Sequence, residues 1–228
     1  MKEIANGIHA ETDDYFTVRY ATKDDWLVGR QYNGRTGDIT IGGSDAAVVE
    51  GVSSFKTARE LMEELRGERQ KPDLSGNESI RRGVESEPHI RALFAIEHPE
   101  YEETDGTHIV FYSKKYPWAS ASLDGILLDR MSGERGTHEI KSVGYSHSWK
   151  GEYAPDYYFL QVVHQMMVTG FEFGILHARV IGRWTHDRLF QYLRQDILEQ
   201  GEQMMEDERR FVEAVKSGKP LPYKIPTL

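Results

Sequence analysis

Apolar positions along this chain switch between two periods. Over residues 57–66, Ala58, Leu61, Met62 and Leu65 recur at i, i+3, i+4 and i+7, which predicts a helix ended by Gly67. Residues 77–97 keep roughly helical spacing through Ile80, Val84, Arg91 and Phe94, and Pro88 inside that pattern predicts a kink or break near Glu85. Residues 155–169 place Leu160, Val163, Met167 and Val168 on one stripe. A last amphipathic helix, capped by Asp196, carries Ile197, Met204, Met205, Phe211, Val212 and Val215 and stops at Gly218 and Pro220. Residues 26–30 read as a short helix, and another starts at Ser44, a favoured N-cap. Strands are expected at 108–112, 118–121, 173–181 and 189–194; residues 1–25 read as a strand or an irregular entry.

The stretch 120–141 is different in kind. Two apolar runs flank a connection over 130–136 rich in Gly, Ser and charge, which predicts a hairpin. Side chains alternate on the second run, so Glu139 and Lys141 share one face while His138 and Ile140 take the other. In register, Asp124 at the end of the first run converges with Glu139, and Lys141 lies beside them. Two carboxylates and an ammonium suit Mg²⁺ and water, because Mg²⁺ takes one or two carboxylates and leaves its other positions to water and phosphate.

Composition narrows the setting. The 228 residues are enough for one domain with a real core, and 39% hydrophobic with 29% charged residues predicts a soluble globular chain. No run has the length of a membrane span, and the N-terminus lacks a signal peptide's apolar stretch, so a cytoplasmic protein is expected. With no cysteine there is no disulfide and no thiolate metal site. A net charge of −9 argues against a surface that binds nucleic acid everywhere, and leaves room for a confined basic channel. No Gly-rich loop ending in Gly-Lys-Ser/Thr occurs, so no ATP requirement is expected.

Asp124-(x14)-Glu139-x-Lys141 resembles the core signature of the PD-(D/E)XK nucleases, with Leu123 where those proteins usually have Pro. In order along the chain stand Trp26-(x3)-Arg30, Gly42-Gly-Ser-Asp, Gly83-Val-Glu-Ser-Glu-Pro, Ser122-Leu-Asp-Gly, Glu139-Ile-Lys and Tyr158-Phe-Leu-Gln-Val-Val-His-Gln. Together they resemble the phage lambda exonuclease and YqaJ-type viral recombinase family over roughly residues 24–215. The resemblance implies a single nuclease domain over 1–228 with a restriction-endonuclease-like α/β fold, a central mixed sheet flanked by helices. It also implies Mg²⁺, two ions with Mn²⁺ able to substitute, held by Asp124, Glu139, the Ile140 carbonyl and Glu87. Lys141 and Gln161 complete the implied catalytic set, and Arg30, Ser44 and Ser122 are the implied contacts to a DNA 5′-phosphate. The implied activity is digestion of the 5′-ended strand of duplex DNA to leave 3′ overhangs for recombination. A homotrimeric ring, a single-strand annealing partner and a bacterial host cell carrying phage or prophage are implied with it.

Other readings stay open at this stage. An endonuclease or resolvase on the same fold would use the same metal site. A non-catalytic DNA-binding subunit is a third class, disfavoured because a pure binder gains nothing from uncompensated carboxylates beside phosphate. His164 reads as a core or helix-surface histidine more readily than a DNA or metal contact, and Gln165 stands where the family often has an aromatic. His138 reads as structural, and His186-Asp187 as part of a turn. Arg81-Arg82 and Lys114-Lys115 either border a DNA path or are solvated charge. The Met pairs at 166–167 and 204–205 read as core.

Overall fold

A computed structural model describes residues 8–74, 76–144 and 147–221; residues 1–7 of the N-terminal stretch lie outside them. In chain order the elements are β1 (Ile8–Glu11), β2 (Tyr15–Arg19), α1 (Lys23–Gly29), α2 (Gly43–Val49), α3 (Ala58–Leu65) and α4 (Glu78–Glu97). Then come β3 (Tyr101–Asp105), β4 (Ile109–Ser113), β5 (Ser120–Ala121), β6 (Gly125–Asp129) and β7 (Arg135–Gly144). The chain continues through α5 (Asp156–Thr169), β8 (Phe173–Ile181), β9 (His186–Leu193) and α6 (Arg194–Ser217). Among the described residues two sheets form: an antiparallel one ordered β1-β2-β4-β5, and a mixed one ordered β3-β6-β7-β8-β9. The second is mixed because β7 and β8 run parallel while its other pairs are antiparallel. A parallel pair needs a crossover, and α5 supplies it.

Helix α5 is the centre of the molecule. Every residue from Val162 to Thr169 is buried, so it has no solvent face over that span. Leu160, Val162, Val163, Met166, Met167 and Val168 each contribute about 1.5–3 kcal/mol of apolar burial. The helix lies directly on β8: a Cβ built at Gly174 would come 2.5 Å from Val162 Cγ1 and 2.8 Å from Met166 Sδ. Helix α4 covers the opposite face, with Phe94 packed among Leu127, Phe173 and Ile175. The mixed sheet is thus sandwiched, and β7 is buried on both faces from Gly136 to Ile140. Among the described residues no helix is long and apolar enough to cross a membrane.

Several local expectations are corrected. Helix α4 is unbroken through Pro88. Pro88 and Val84 are both exposed, so the carbonyl that loses its intrahelical donor is open to water. The cap of α2 is Gly42, whose N–H donates to Asp45 Oδ2 at 3.4 Å, so Ser44 sits inside the first turn with its hydroxyl released from capping. Helix α6 starts at Arg194 with Leu193 as its N-cap, and Asp196 lies in the first turn. His186 and Asp187 belong to β9 rather than to a turn. Residues 8–25 agree with the strand alternative for the 1–25 stretch: they hold β1 and β2, followed by the start of α1, whose cap Thr22 accepts from the Asp25 N–H at 3.1 Å. Strand β3, which pairs with β6, has no counterpart in the sequence reading; Glu102, Glu103, Thr104 and Asp105 are too polar to signal it.

Behind β7, on the α4 side, lies a buried polar cluster. His138 bonds Glu103 at 2.8 Å through Nδ1 and stacks on His177 with ring centroids 5.5 Å apart. Burial pushes the pKa of His177 down to about 4, and His138 beside it adds to the fall. Asp187, 3.6 Å from His177 Nε2, offsets only part of this. The folded chain therefore keeps His177 neutral where an unfolded chain, near 6.5, would bind a proton. Stability should fall as pH drops from 6.5 towards 4, by up to about 1.4 kcal/mol per pH unit for this one group. Urea titrations across that range would measure the slope, and His177→Phe, which keeps the ring packing, should flatten it.

Candidate active site

The β6–β7 register decides the site. Gly125 pairs with His138, so Asp124 stands opposite Glu139, one step beyond the end of β6. The Ile140 N–H donates to Asp124 Oδ2 at 2.7 Å and fixes that carboxylate against the neighbouring strand. Glu139 points to the α5 side and is only 1% exposed. Such burial requires donors, and three surround it: Lys141 Nζ at 2.5 Å from Oε1, Gln161 Nε2 at 2.6 Å from Oε1, and Gln165 Nε2 at 2.5 Å from Oε2. Gln161 and Gln165 lie one turn apart on α5, so a single helix face supplies both amides.

The charges here do not balance. Asp124 is raised well above the usual aspartate range, by burial first and then by Glu139 and Glu87. Glu87, on α4, is raised by burial and by Glu139. Burial disfavours charge on Lys141, but Glu139 and Asp124 outweigh it and lift its pKa above the normal lysine value. Lys141 is therefore an ammonium, a point charge rather than a proton acceptor. Three carboxylates crowd around Lys141, with Arg91 acting on Glu87 from α4, and a divalent cation would relieve the repulsion that raises Asp124 and Glu87. Among the described residues no three acidic or histidine side chains close into a ready-made shell. The donors fit an ion that takes few carboxylates and fills its remaining positions with carbonyl, water and phosphate oxygens, the habit of Mg²⁺.

The residues expected to hold a phosphate also come together. Arg30 Nη2 lies 3.5 Å from Ser44 Oγ, and its guanidinium rests over the Trp26 ring at 4.8 Å. Trp26 Nε1 donates to Ser122 Oγ at 3.0 Å, and Ser122 Oγ donates on to the Ile109 carbonyl at 3.3 Å. Ser122 is thus engaged on both sides and orients Trp26. A Cβ at Gly43 would stand 3.2 Å from Gln161 Cγ, so the start of α2 is pressed against the glutamine that touches Glu139.

A sequence model of the YqaJ-like viral recombinase domain matches residues 25–172, a span that holds every one of these side chains. The chain belongs to the YqaJ-like viral recombinase family. Its fold is shared with an alkaline exonuclease from Laribacter hongkongensis, at TM-score 0.65 and 20% identity over 86% of this chain and 94% of that one. The same exonuclease in complex with dAMP matches at 0.63, again 20% identical, over 86% and 95%. A phage-related exonuclease from Haemophilus somnus matches at 0.52 and 11% identity, over 79% of this chain and 96% of that one. These likenesses make the fold restriction-endonuclease-like, as expected. No curated protein sequence gives a significant match.

Within this YqaJ-like site several side chains carry parts that sequence reasoning did not assign. Gln165 shares Glu139 with Gln161; its i+4 spacing was the available signal. Arg91, one turn beyond Glu87 on α4, donates to the Asp124 backbone carbonyl and lies 3.3 Å from Glu103 and 3.2 Å from Asp105. His164 is engaged elsewhere than at the carboxylate–lysine cluster: it bonds Glu208 at 2.8 Å and the Ser120 carbonyl at 2.9 Å, fully buried. His138 points away, as expected. Arg81 and Arg82 pair with Glu85 and Glu78, and Lys114 and Lys115 with Glu11 and Glu202, so these clusters are neutralised locally. Removing one of the crowded carboxylates should stabilise the metal-free fold. Asp124→Asn should raise the melting temperature in chelator and reduce the upward shift that Mg²⁺ produces in the wild type. Calorimetric scans with and without Mg²⁺ check both outcomes.

Proposed function

We propose that this protein is a Mg²⁺-dependent exonuclease that digests the 5′-ended strand of duplex DNA from 5′-phosphorylated ends, leaving 3′ overhangs for recombination. The observation that carries this reading is the contact between two groups of residues. The start of α2, beside Arg30, is pressed onto Gln161, which touches Glu139. A nuclease that cuts internally needs only the carboxylate–lysine cluster; one that works from an end also needs a grip on the terminal phosphate. Arg30 supplies charge-assisted donors for that grip and Ser44 a hydroxyl already turned towards it. Ser122 supports them through Trp26.

Asp124, Glu139 and the Ile140 carbonyl would hold one Mg²⁺ and Glu87 would help hold a second, Mn²⁺ being able to replace either; the ions would lower the pKa of a water and screen the phosphate. Around them the chain sets the geometry. The Ile140 N–H keeps Asp124 in place, and the two glutamine amides keep Glu139 from swinging. Lys141, held as an ammonium by its neighbours, orients water or stabilises charge building on the phosphate oxygens. Gln161 is a neutral donor that positions water or phosphate without competing for metal. The same reading makes the chain one nuclease domain that works in the cytoplasm of a host cell, as a ring of three copies beside a single-strand annealing protein.

Linear duplex should be degraded with Mg²⁺ while covalently closed circles stay intact; cutting of the circles would favour the endonuclease or resolvase reading. Asp124→Asn or Glu139→Gln should abolish degradation. In the wild type, 5′-phosphorylated duplex should be digested faster than 5′-hydroxyl duplex. Arg30→Ala should shrink that ratio by roughly 10- to 100-fold, the range for a charged hydrogen bond. Equal slowing of both substrates by Arg30→Ala, read from initial rates, would remove the phosphate grip from the proposal.

A further inference from the structure

A row of aromatic rings runs outward from the carboxylate–lysine cluster. Lys141 Nζ lies over the Tyr158 ring at 5.2 Å, and Tyr158 stacks on Trp149 with centroids 5.4 Å apart. Tyr157 follows Tyr158 at 4.3 Å, and Phe55 meets Tyr157 edge-on at 5.5 Å. The inner end is fixed by packing: Trp149 is buried and Tyr158 half-buried. At the outer end Phe55 is 76% exposed, in the connection between α2 and α3. On α5, Tyr157 lies one turn before Gln161, so the rings and the amide that touches Glu139 occupy one helix face.

Phe55 touches Tyr157 edge-on and leaves most of its ring open to solvent, far more than packing alone requires, in a row that ends at Lys141. Every nucleobase has a π-face, and stacking on aromatic side chains is tolerant of sequence, which suits an enzyme that must process any strand. A strand entering a hollow beside Lys141 must leave its duplex partner, at a cost of a few kcal/mol per unstacked step. An aromatic partner at the point of separation offsets that cost. We propose that Phe55 and Tyr157 form a stacking site for unpaired nucleobases of the DNA strand that enters the active site. The proposal rests on the nuclease reading of Asp124, Glu139 and Lys141. It commits to single-stranded DNA because the row is continuous with that cluster through Tyr158.

The test uses a short 5′-phosphorylated single strand containing 2-aminopurine, whose fluorescence falls when it stacks. Binding is measured in the Asp124→Asn background with Mg²⁺. Phe55→Ala and Tyr157→Ala should each weaken binding by about 5- to 100-fold and diminish the fluorescence change. Phe55→Trp and Tyr157→Phe should restore both. Replacing the probe base by an abasic site should weaken binding to the parent and cost the alanine variants nothing further. Degradation of the oligonucleotide in the Asp124→Asn background overturns the active-site reading and the stacking site with it. Intact oligonucleotide, bound equally by parent and alanine variants, overturns the stacking site alone. Unchanged oligonucleotide binding with a smaller sedimenting species would assign these rings to contact with a second copy of the chain, and would also overturn it.

Discussion

Burial of the Glu139 carboxylate is the constraint on which the rest of the site depends. A carboxylate in a strand covered on both faces is tolerated only if its oxygens find donors. The donors come from Lys141, two positions along β7 on the same face, and from Gln161 and Gln165 on the crossover helix. Satisfying Glu139 therefore clamps α5 against β7, and everything carried by α5 is placed by the same contact. Gln161 meets the start of α2 at Gly43; Tyr157 and Tyr158, one turn earlier, meet Phe55 and Lys141.

The other face of the sheet works in the opposite sense. There Arg91 reaches from α4 to the Asp124 carbonyl while paired with Glu103 and Asp105, and Glu103 continues to His138 and the stacked His177. This cluster holds the backbone of Asp124, whereas the Ile140 N–H holds its carboxylate. Asp124 is thus fixed at both ends although its charge is disfavoured by burial and by Glu139 and Glu87. That repulsion is tolerated in a rigid frame, and a bound cation would relieve it. The YqaJ-like family assignment and the exonuclease fold give the cluster a setting in which such a cost has a use.

An overall charge of −9 is compatible with DNA chemistry because the cations are placed selectively. Exposed pairs at Arg81, Arg82, Lys114 and Lys115 are matched by nearby carboxylates and leave little unbalanced positive surface. Lys141 instead sits in the cluster, where lower dielectric makes a single charge count for more, and Arg30 lies beside Ser44 at the start of α2.

Much of the site was legible in the sequence because its parts are local. The Asp124-(x14)-Glu139-x-Lys141 spacing follows from a hairpin and the alternation of a strand, and α5 announced itself by its apolar stripe. The order of motifs from Trp26 to Gln165 was enough to indicate the family later matched over 25–172. Strand β3 was not legible, because its stability comes from pairing with β6 and not from its own polar residues. Continuity of α4 through Pro88 was decided by solvent reaching the Val84 turn, and the cap of α2 by Asp45 reaching back to Gly42. Arg91 and Glu208 could not be assigned from spacing, since they act on groups 33 and 44 positions away, whereas the i+4 spacing of Gln165 from Gln161 put it on the same face without showing that Glu139 meets that face. Local periodicity determines which residues share a face; only the packing of α4, α5 and α6 decides which faces meet, because contacts between distant segments are set by burial and not by any pattern within one segment.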